Sequence, residues 1–428
     1  MTFPKPATAQ RLALSEAPPR AWAQRGARGV LLLFLFIIPF SNAAIEILFF
    51  PLFLTWIIGW HFPNSEPSGA WRSTAGRNIL LALLCYLAVC SFSVPISTHP
   101  MHSLIGLFGK TFEYALFFLM AGDIANSPSV VQKGGKVLLL AAGWVGIYAV
   151  YQEWLISRVP GLVIDPIIPL PLLYSKMVGP YRNPNDLATF LMVTLLILIA
   201  HLFDRPRVPQ WHKWFLGLLL VGCLVRTTSR GAFLGFSAGL LFLLFFFPRQ
   251  KWIRVGSAGM LVIVLILILA GKTSLKEVLF FSDRASLERR AMWNTAWSMI
   301  EARPILGHGL NTFMANYQSY AVTPTQGPAY AHNCFLQIAA ETGILGLGFF
   351  LWFLALLLRS LWRSLRAHFD LQTSSVRAWL MGFTAALIAF LVQSAFDTQL
   401  YSLRQATLFW TLAGFSFGAS RCLKSSVS

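Results

Sequence analysis

Four arginines and one histidine stand out in a chain that is otherwise poor in charge: Arg182, Arg230, Arg289, Arg290 and His332. A neutral imidazole can take a proton from an attacking hydroxyl near neutral pH. Guanidinium forks suit a diphosphate, which they hold through bidentate, charge-assisted contacts. Each residue also has a plainer role. Arg182 lies in Gly179-Pro180-Tyr181-Arg182-Asn183-Pro184-Asn185-Asp186, a turn in which Asn185 or Asp186 can cap the following helix. Arg230, in Thr228-Ser229-Arg230-Gly231, can anchor a helix end by snorkelling. Arg289 and Arg290 can form a solvated face, Arg289 pairing with Glu288. His332, followed by Asn333 and Cys334, can cap or pack a helix start. His308, in Gly307-His308-Gly309, reads as turn geometry, and Lys110 with Glu113 at i, i+3 reads as a buried pair.

Together the five point to transfer of a group away from a diphosphate at a membrane surface. No Asp/Glu cluster has the character of a Mg²⁺ or Mn²⁺ site, so the arginines are expected to stabilise the leaving diphosphate without metal or cofactor. There is no Gly-rich phosphate loop and no GxSxG elbow. Cys85, Cys90, Cys223, Cys334 and Cys422 form no CxxC or Cys/His pattern, so neither a disulfide framework nor a metal site is expected.

The elements that must position these residues are apolar. Of 428 residues, 56% are hydrophobic and only 12% charged, about half the charged share of soluble domains. Mean hydropathy is +0.63. This excludes a soluble enzyme, a secreted disulfide scaffold and a disordered chain. Runs such as Met260–Ala270 are unbroken, unlike the alternating strands of a transmembrane barrel. The expected fold is all-α and polytopic, with about 12 transmembrane helices at 26–41, 44–60, 77–94, 103–122, 136–157, 186–203, 212–226, 230–247, 252–271, 335–358, 376–396 and 400–420. A tight helical hairpin and one bent span both fit 26–60. No cleavable signal peptide is expected.

This arrangement divides the chain into a cytoplasmic tail (1–25), spans 1–9 (26–271), a periplasmic loop domain (272–334), spans 10–12 (335–420) and a cytoplasmic tail (421–428). Twenty-one Lys/Arg against five acidic residues fall on the side of the N-terminus, which makes that side cytoplasmic by the positive-inside rule and explains the net charge of +18 without nucleic acid. The outer segment 158–185 carries six prolines and lies on or re-enters the membrane. Within the outer segment 272–334, Leu287, Ala291, Trp293, Ala296, Trp297 and Ile300 mark the apolar face of a helix over 284–302, ended by Pro304, Gly307 and Gly309.

The ordered set Gly179-Pro180…Asn183-Pro184-Asn185, Thr228-Ser229-Arg230-Gly231-Ala232, Arg290-x-x-Trp293…Arg303-Pro304-Ile305-Leu306-Gly307-His308-Gly309 and His332-Asn333…Gly343-Ile344-Leu345-Gly346 resembles the O-antigen ligase/polymerase superfamily, and most closely the O-antigen ligase (WaaL) pattern. The resemblance spans roughly residues 30 to 420. It implies a glycosyltransferase of the bacterial inner membrane with a periplasmic active site. Such an enzyme moves O-antigen from undecaprenyl diphosphate to the lipid A–core oligosaccharide, with inversion and without metal. Carried over, the resemblance implies Arg182, Arg230 and Arg290 on the diphosphate and His332 on the acceptor hydroxyl, with Asn333, Arg289 and Lys110 in support. Three rivals remain at this point. They are an O-antigen polymerase using the same donor, a protein O-oligosaccharyltransferase of the same superfamily, and a transporter of polyprenyl-linked sugars that uses the cations for binding alone.

Overall fold

The computed structural model describes residues 18–60, 69–159, 176–202, 210–246, 284–321, 330–367 and 375–425. All regular structure among these residues is helical. The helices are α1 (Pro18–Ile37), α2 (Asn42–Trp60), α3 (Gly69–Arg72), α4 (Thr74–Ser93), α5 (Pro100–Ile124), α6 (Pro128–Arg158), α7 (Pro184–Leu202), α8 (Trp211–Thr227), α9 (Arg230–Phe246), α10 (Arg284–Ala302), α11 (Phe313–Tyr320), α12 (Cys334–Ala367), α13 (Ser375–Ser394) and α14 (Leu403–Ser425). Seven of them (α2, α4, α5, α6, α7, α12 and α13) are long and apolar enough to cross a membrane. The chain is an all-helical, polytopic membrane protein. The expected span 252–271 lies outside the described residues, as do residues 1–17 and Pro160, Pro166, Pro169 and Pro171 of the proline-rich segment.

Residues 26–60 form a hairpin rather than one bent span, because α1 ends at Ile37 and α2 starts at Asn42 and packs back along it. The bundle's main pairs are α5 with α14, α9 with α13, α7 with α13 and α4 with α12. The α9–α13 crossing shows why small residues sit where they do. A Cβ on Gly235 would come within 2.5 Å of the Ala389 carbonyl, and one on Gly239 within 2.8 Å of the Ala385 carbonyl. The glycines and the facing alanines are each four apart, so the two backbones approach over a full turn.

The largest buried side chains, among them Trp379, Phe34, Phe117, Phe190 and Phe383, fill the main core. A second, small core lies over one end of the bundle, where Ala296, Met299 and Ile300 of α10 meet Phe313 and Tyr317 of α11 and Ala339 and Ala340 of α12. This corrects the expected apolar face of α10. Ala296 and Ile300 are buried, but Leu287 and Trp297 are exposed, and the buried stripe runs through Thr295 and Met299 instead. Trp297 faces outward, and its Nε1–H donates to Glu301 Oε1 at 2.6 Å.

Candidate active site

Helix α12 begins at the site and is broken one helical stretch later. Asn333 Oδ1 accepts from the Phe335 and Leu336 amides at 3.0 and 3.1 Å, capping the helix. Asn333 thus uses its Oδ1 at the helix start. At Gly343 the helix leaves the α conformation, with φ +71°. The freed backbone groups pair with the Arg303–Gly309 loop. Ile344 donates to the Pro304 carbonyl at 2.8 Å, His308 to the Ala340 carbonyl at 3.0 Å and Gly309 to the Glu341 carbonyl at 2.8 Å. The buried Glu341 carboxylate accepts from the Asn311 and Phe313 amides, from Gln337 Nε2 and from the Tyr401 hydroxyl. The two glycine-containing motifs thus form one structural clasp that fixes the outer loop on α12.

The Gly343→Ala substitution tests that clasp. Its Cβ would meet the Ile305 carbonyl oxygen at 2.0 Å, and the left-handed φ adds strain. We expect a loss of stability of ~3 kcal/mol or more, read as a lowered Tm in detergent.

His332 sits just before the cap, with its own φ at +46°. A non-glycine residue holds that conformation only where its surroundings enforce it. Here the Trp293 Nε1–H donates to the His332 carbonyl at 3.4 Å, and the ring's Nδ1 donates to Asp397 Oδ1 at 3.0 Å. Asp397 is 5% exposed and stands on the link between α13 and α14. Burial pushes its carboxyl up. The His332 hydrogen bond and charge, the Thr398 amide and the Arg289 guanidinium more than offset this and hold it below the usual carboxylate range. Asp397 is thus an anion near neutral pH. When the imidazole is neutral, this anion favours the tautomer with the proton on Nδ1 and leaves Nε2 as an acceptor. Cys334 fastens the link to α12, its Sγ donating to the Asp397 carbonyl and accepting from the Leu400 amide.

Beside this pair is a pocket of about 220 Å³ lined by Arg230, Gly231, Leu234, Arg289, Arg290, Trp293 and Phe396. Trp293 and Phe396 belong to both neighbourhoods, since one binds the His332 carbonyl and the other precedes Asp397. The structure therefore brings together Arg230, Arg289, Arg290 and His332. Arg226, four residues before Arg230, is held instead in an ion pair with Glu153 of α6.

Arg182 does not line this pocket. It is exposed on the turn before α7 and lies near Arg404, whose guanidinium stacks over Tyr181 and donates to the Pro39 and Pro180 carbonyls. That turn is tied to the Asp397 link from the other side, because Asp186 Oδ2 accepts from the Ser402 hydroxyl at 3.1 Å. Lys110 does not pair with Glu113. It lies in the π-helical stretch Leu107–Phe112 of α5 and donates to Asn311 Oδ1 at 3.0 Å, while Glu113 lines a separate groove with Glu46. His308 is structural, fully buried with Nε2–H donating to the Met299 carbonyl at 3.0 Å. Burial, with the Arg303 charge and against that carbonyl, keeps its imidazole below the ordinary histidine range.

The residue that motif reading missed is Asp397. Its signal was modest but present: a single carboxylate between two expected spans, on the expected side of His332. Among the described residues no group of three or more His, Cys, Asp or Glu side chains could hold a metal ion.

A buried carboxylate orienting a histidine next to three clustered arginines, on an all-helical membrane scaffold, has the makings of a group-transfer centre for an anionic substrate. Residues 215–351, which run from α8 through the clasp, match the O-antigen ligase family. Proteins of Rickettsia typhi and Rickettsia prowazekii, both named "Putative polysaccharide ligase" (RT0347 and RP358), are 22% and 23% identical to the chain over 291 and 283 residues. The first alignment covers 64% of this chain and 67% of its relative, the second 63% and 65%. A protein of the same name from Rickettsia felis is 28% identical over 154 residues, 33% of this chain and 37% of the relative. The chain spans about two thirds of the length of the first two relatives. These likenesses support a place for the chain in the O-antigen ligase superfamily.

Proposed function

We propose that the chain is a glycosyltransferase that ligates O-antigen polysaccharide, carried on undecaprenyl diphosphate, to a lipid A–core acceptor at the periplasmic face of the bacterial inner membrane. The observation that carries this reading is the placing of the His332–Asp397 pair against the three-arginine pocket through Trp293 and Phe396. The acceptor hydroxyl attacks the anomeric carbon of the donor sugar. Its proton passes to His332 Nε2 as the new C–O bond forms, and the bond from that carbon to the diphosphate oxygen breaks. Asp397 steadies the imidazolium. Arg230, Arg289 and Arg290 take up the charge that develops on the leaving diphosphate. Attack opposite the leaving group inverts the anomeric centre. Arg182, on the neighbouring turn, is proposed to meet the donor outside the pocket.

The test is reconstitution of the purified protein with lipid-linked donor and lipid A–core acceptor, with excess chelator present. The reading requires donor-dependent and acceptor-dependent product with no other protein added. Chain extension without the core acceptor would instead identify a polymerase, and binding without product a transporter.

Orientation is tested separately. In a Cys85→Ser background, Ser319→Cys in α11 and Ala367→Cys at the end of α12 place a thiol at exposed positions on opposite ends of that helix's path. We expect an impermeant maleimide to label position 319 from the periplasm and position 367 only after the inner membrane is opened. The reverse pattern overturns the proposed topology.

A further inference from the structure

A second pocket lies at the far end of the bundle from His332. Helix α7 leaves the site at Asp186 and reaches His201 about 22 Å along its axis. There the start of α6, the end of α7 and the start of α8 surround a cavity of about 640 Å³. Its polar part holds Lys136, Lys213, His201, His212, Gln132 and Gln210. Both ammonium groups are close enough to His201 to act on it electrostatically. The imidazole is stacked on Trp379, with centroids 4.2 Å apart, and its Nδ1 is buried without a hydrogen-bond partner. None of the lining residues is acidic.

The other wall is apolar. It climbs α6 through Leu140, Gly143, Trp144 and Ile147. Leu140, Trp144 and Ile147 are more than half exposed, so the wall continues onto the outer surface of the bundle, where lipid chains lie. Trp211, Trp214 and Phe215 of α8 are exposed beside it, as aromatic side chains are at a membrane interface.

We propose that this pocket binds an anionic phospholipid, with the phosphate between Lys136 and Lys213 and an acyl chain along Leu140, Trp144 and Ile147. The volume lies within the ~300–1,000 Å³ typical of small-molecule sites. Basic pockets between transmembrane helices recognise anionic headgroups. The split lining selects the occupant, because a free phosphate has no use for the apolar wall and a zwitterionic lipid brings no net charge to the lysines.

The test uses the full-length protein in micelles of a non-ionic detergent, titrated with phosphatidylglycerol, phosphatidylcholine or inorganic phosphate. Thermal unfolding and native mass spectrometry serve as readouts. Phosphatidylglycerol is expected to raise Tm and remain bound, and the other two are not. Lys136→Gln with Lys213→Gln should weaken phosphatidylglycerol about fivefold per lysine, ~25-fold together. Gly143→Leu keeps both charges and fills the wall, since a Cβ there has only ordinary contact with Leu216. It should weaken binding at least as much. If the lysine variant does not fold, Gly143→Leu decides alone. Undiminished phosphatidylglycerol binding by a folded variant overturns the proposal, as does equal binding of phosphatidylcholine or of inorganic phosphate.

Discussion

His332→Ala is expected to lower the proposed polysaccharide transfer by about 10²–10⁴-fold while the protein stays folded. A sugar hydroxyl is a weak nucleophile until its proton is drawn away. In this site the only oriented imidazole among the described residues near the arginine pocket is that of His332, fixed by Asp397 at 3.0 Å and by Trp293 on its carbonyl. The ring is part-exposed and packs little, so its removal should leave Tm close to wild type. His332→Gln separates two roles: glutamine can orient a hydroxyl but cannot carry its proton away. Retained activity in that variant would leave catalysis to the arginine-held leaving group. Asp397→Asn makes the complementary test. An asparagine can donate to Nδ1, which turns Nε2 into the protonated nitrogen and removes the acceptor. The same exchange in a Ser-His-Asp triad costs ~10⁴-fold, and we expect a loss approaching that, in kcat rather than in donor KM. Full activity of His332→Ala at limiting acceptor would reduce His332 to a helix-start residue.

Apolar runs and their breaks located the helices because a span must satisfy its backbone internally, whatever its neighbours are. Reading along the chain, Arg230, Arg289, Arg290 and His332 were visible as cations and an imidazole on one expected side. Their partners were not. Asp397 is 65 positions from His332 and Asn311 is 201 from Lys110, and no local pattern announces pairings over such distances. The buried face of α10 was misplaced for a related reason. Two tryptophans satisfy the helical period, but Trp297 meets Glu301 within its own helix, and the tertiary contact falls on Met299 and Thr295. The glycine motifs were legible as a signature but not as a mechanism. Only the fold shows that Gly343 opens α12 so that Pro304, Ile305 and Gly309 can pair with it.

Replacing any one of Arg230, Arg289 and Arg290 by alanine is expected to cost ~2–4 kcal/mol of transition-state stabilisation, or roughly 30- to 1,000-fold in kcat/KM. The three line one pocket with Leu234, Trp293 and Phe396. Apolar walls limit water, which is where fixed charges act most strongly on a developing anion. Lysine should rescue only in part, because a point charge cannot reproduce the planar fork. Arg182→Ala should cost less, since Arg182 lies outside that pocket; an equal loss would bring the 179–183 turn into contact with the diphosphate. Arg289 carries a second consequence that separates it from Arg290. Its charge is among the causes that hold Asp397 below the carboxylate range. Removing it raises the Asp397 pKa, so that carboxylate is protonated at a higher pH on acidification. The pH profile of Asp397 protonation, followed by the infrared carboxylate band, should therefore shift upward in Arg289→Ala and stay in place in Arg290→Ala. Identical profiles would confine Arg289 to the diphosphate, and an upward shift in both would mean that the arginines act through the dyad rather than on the leaving group.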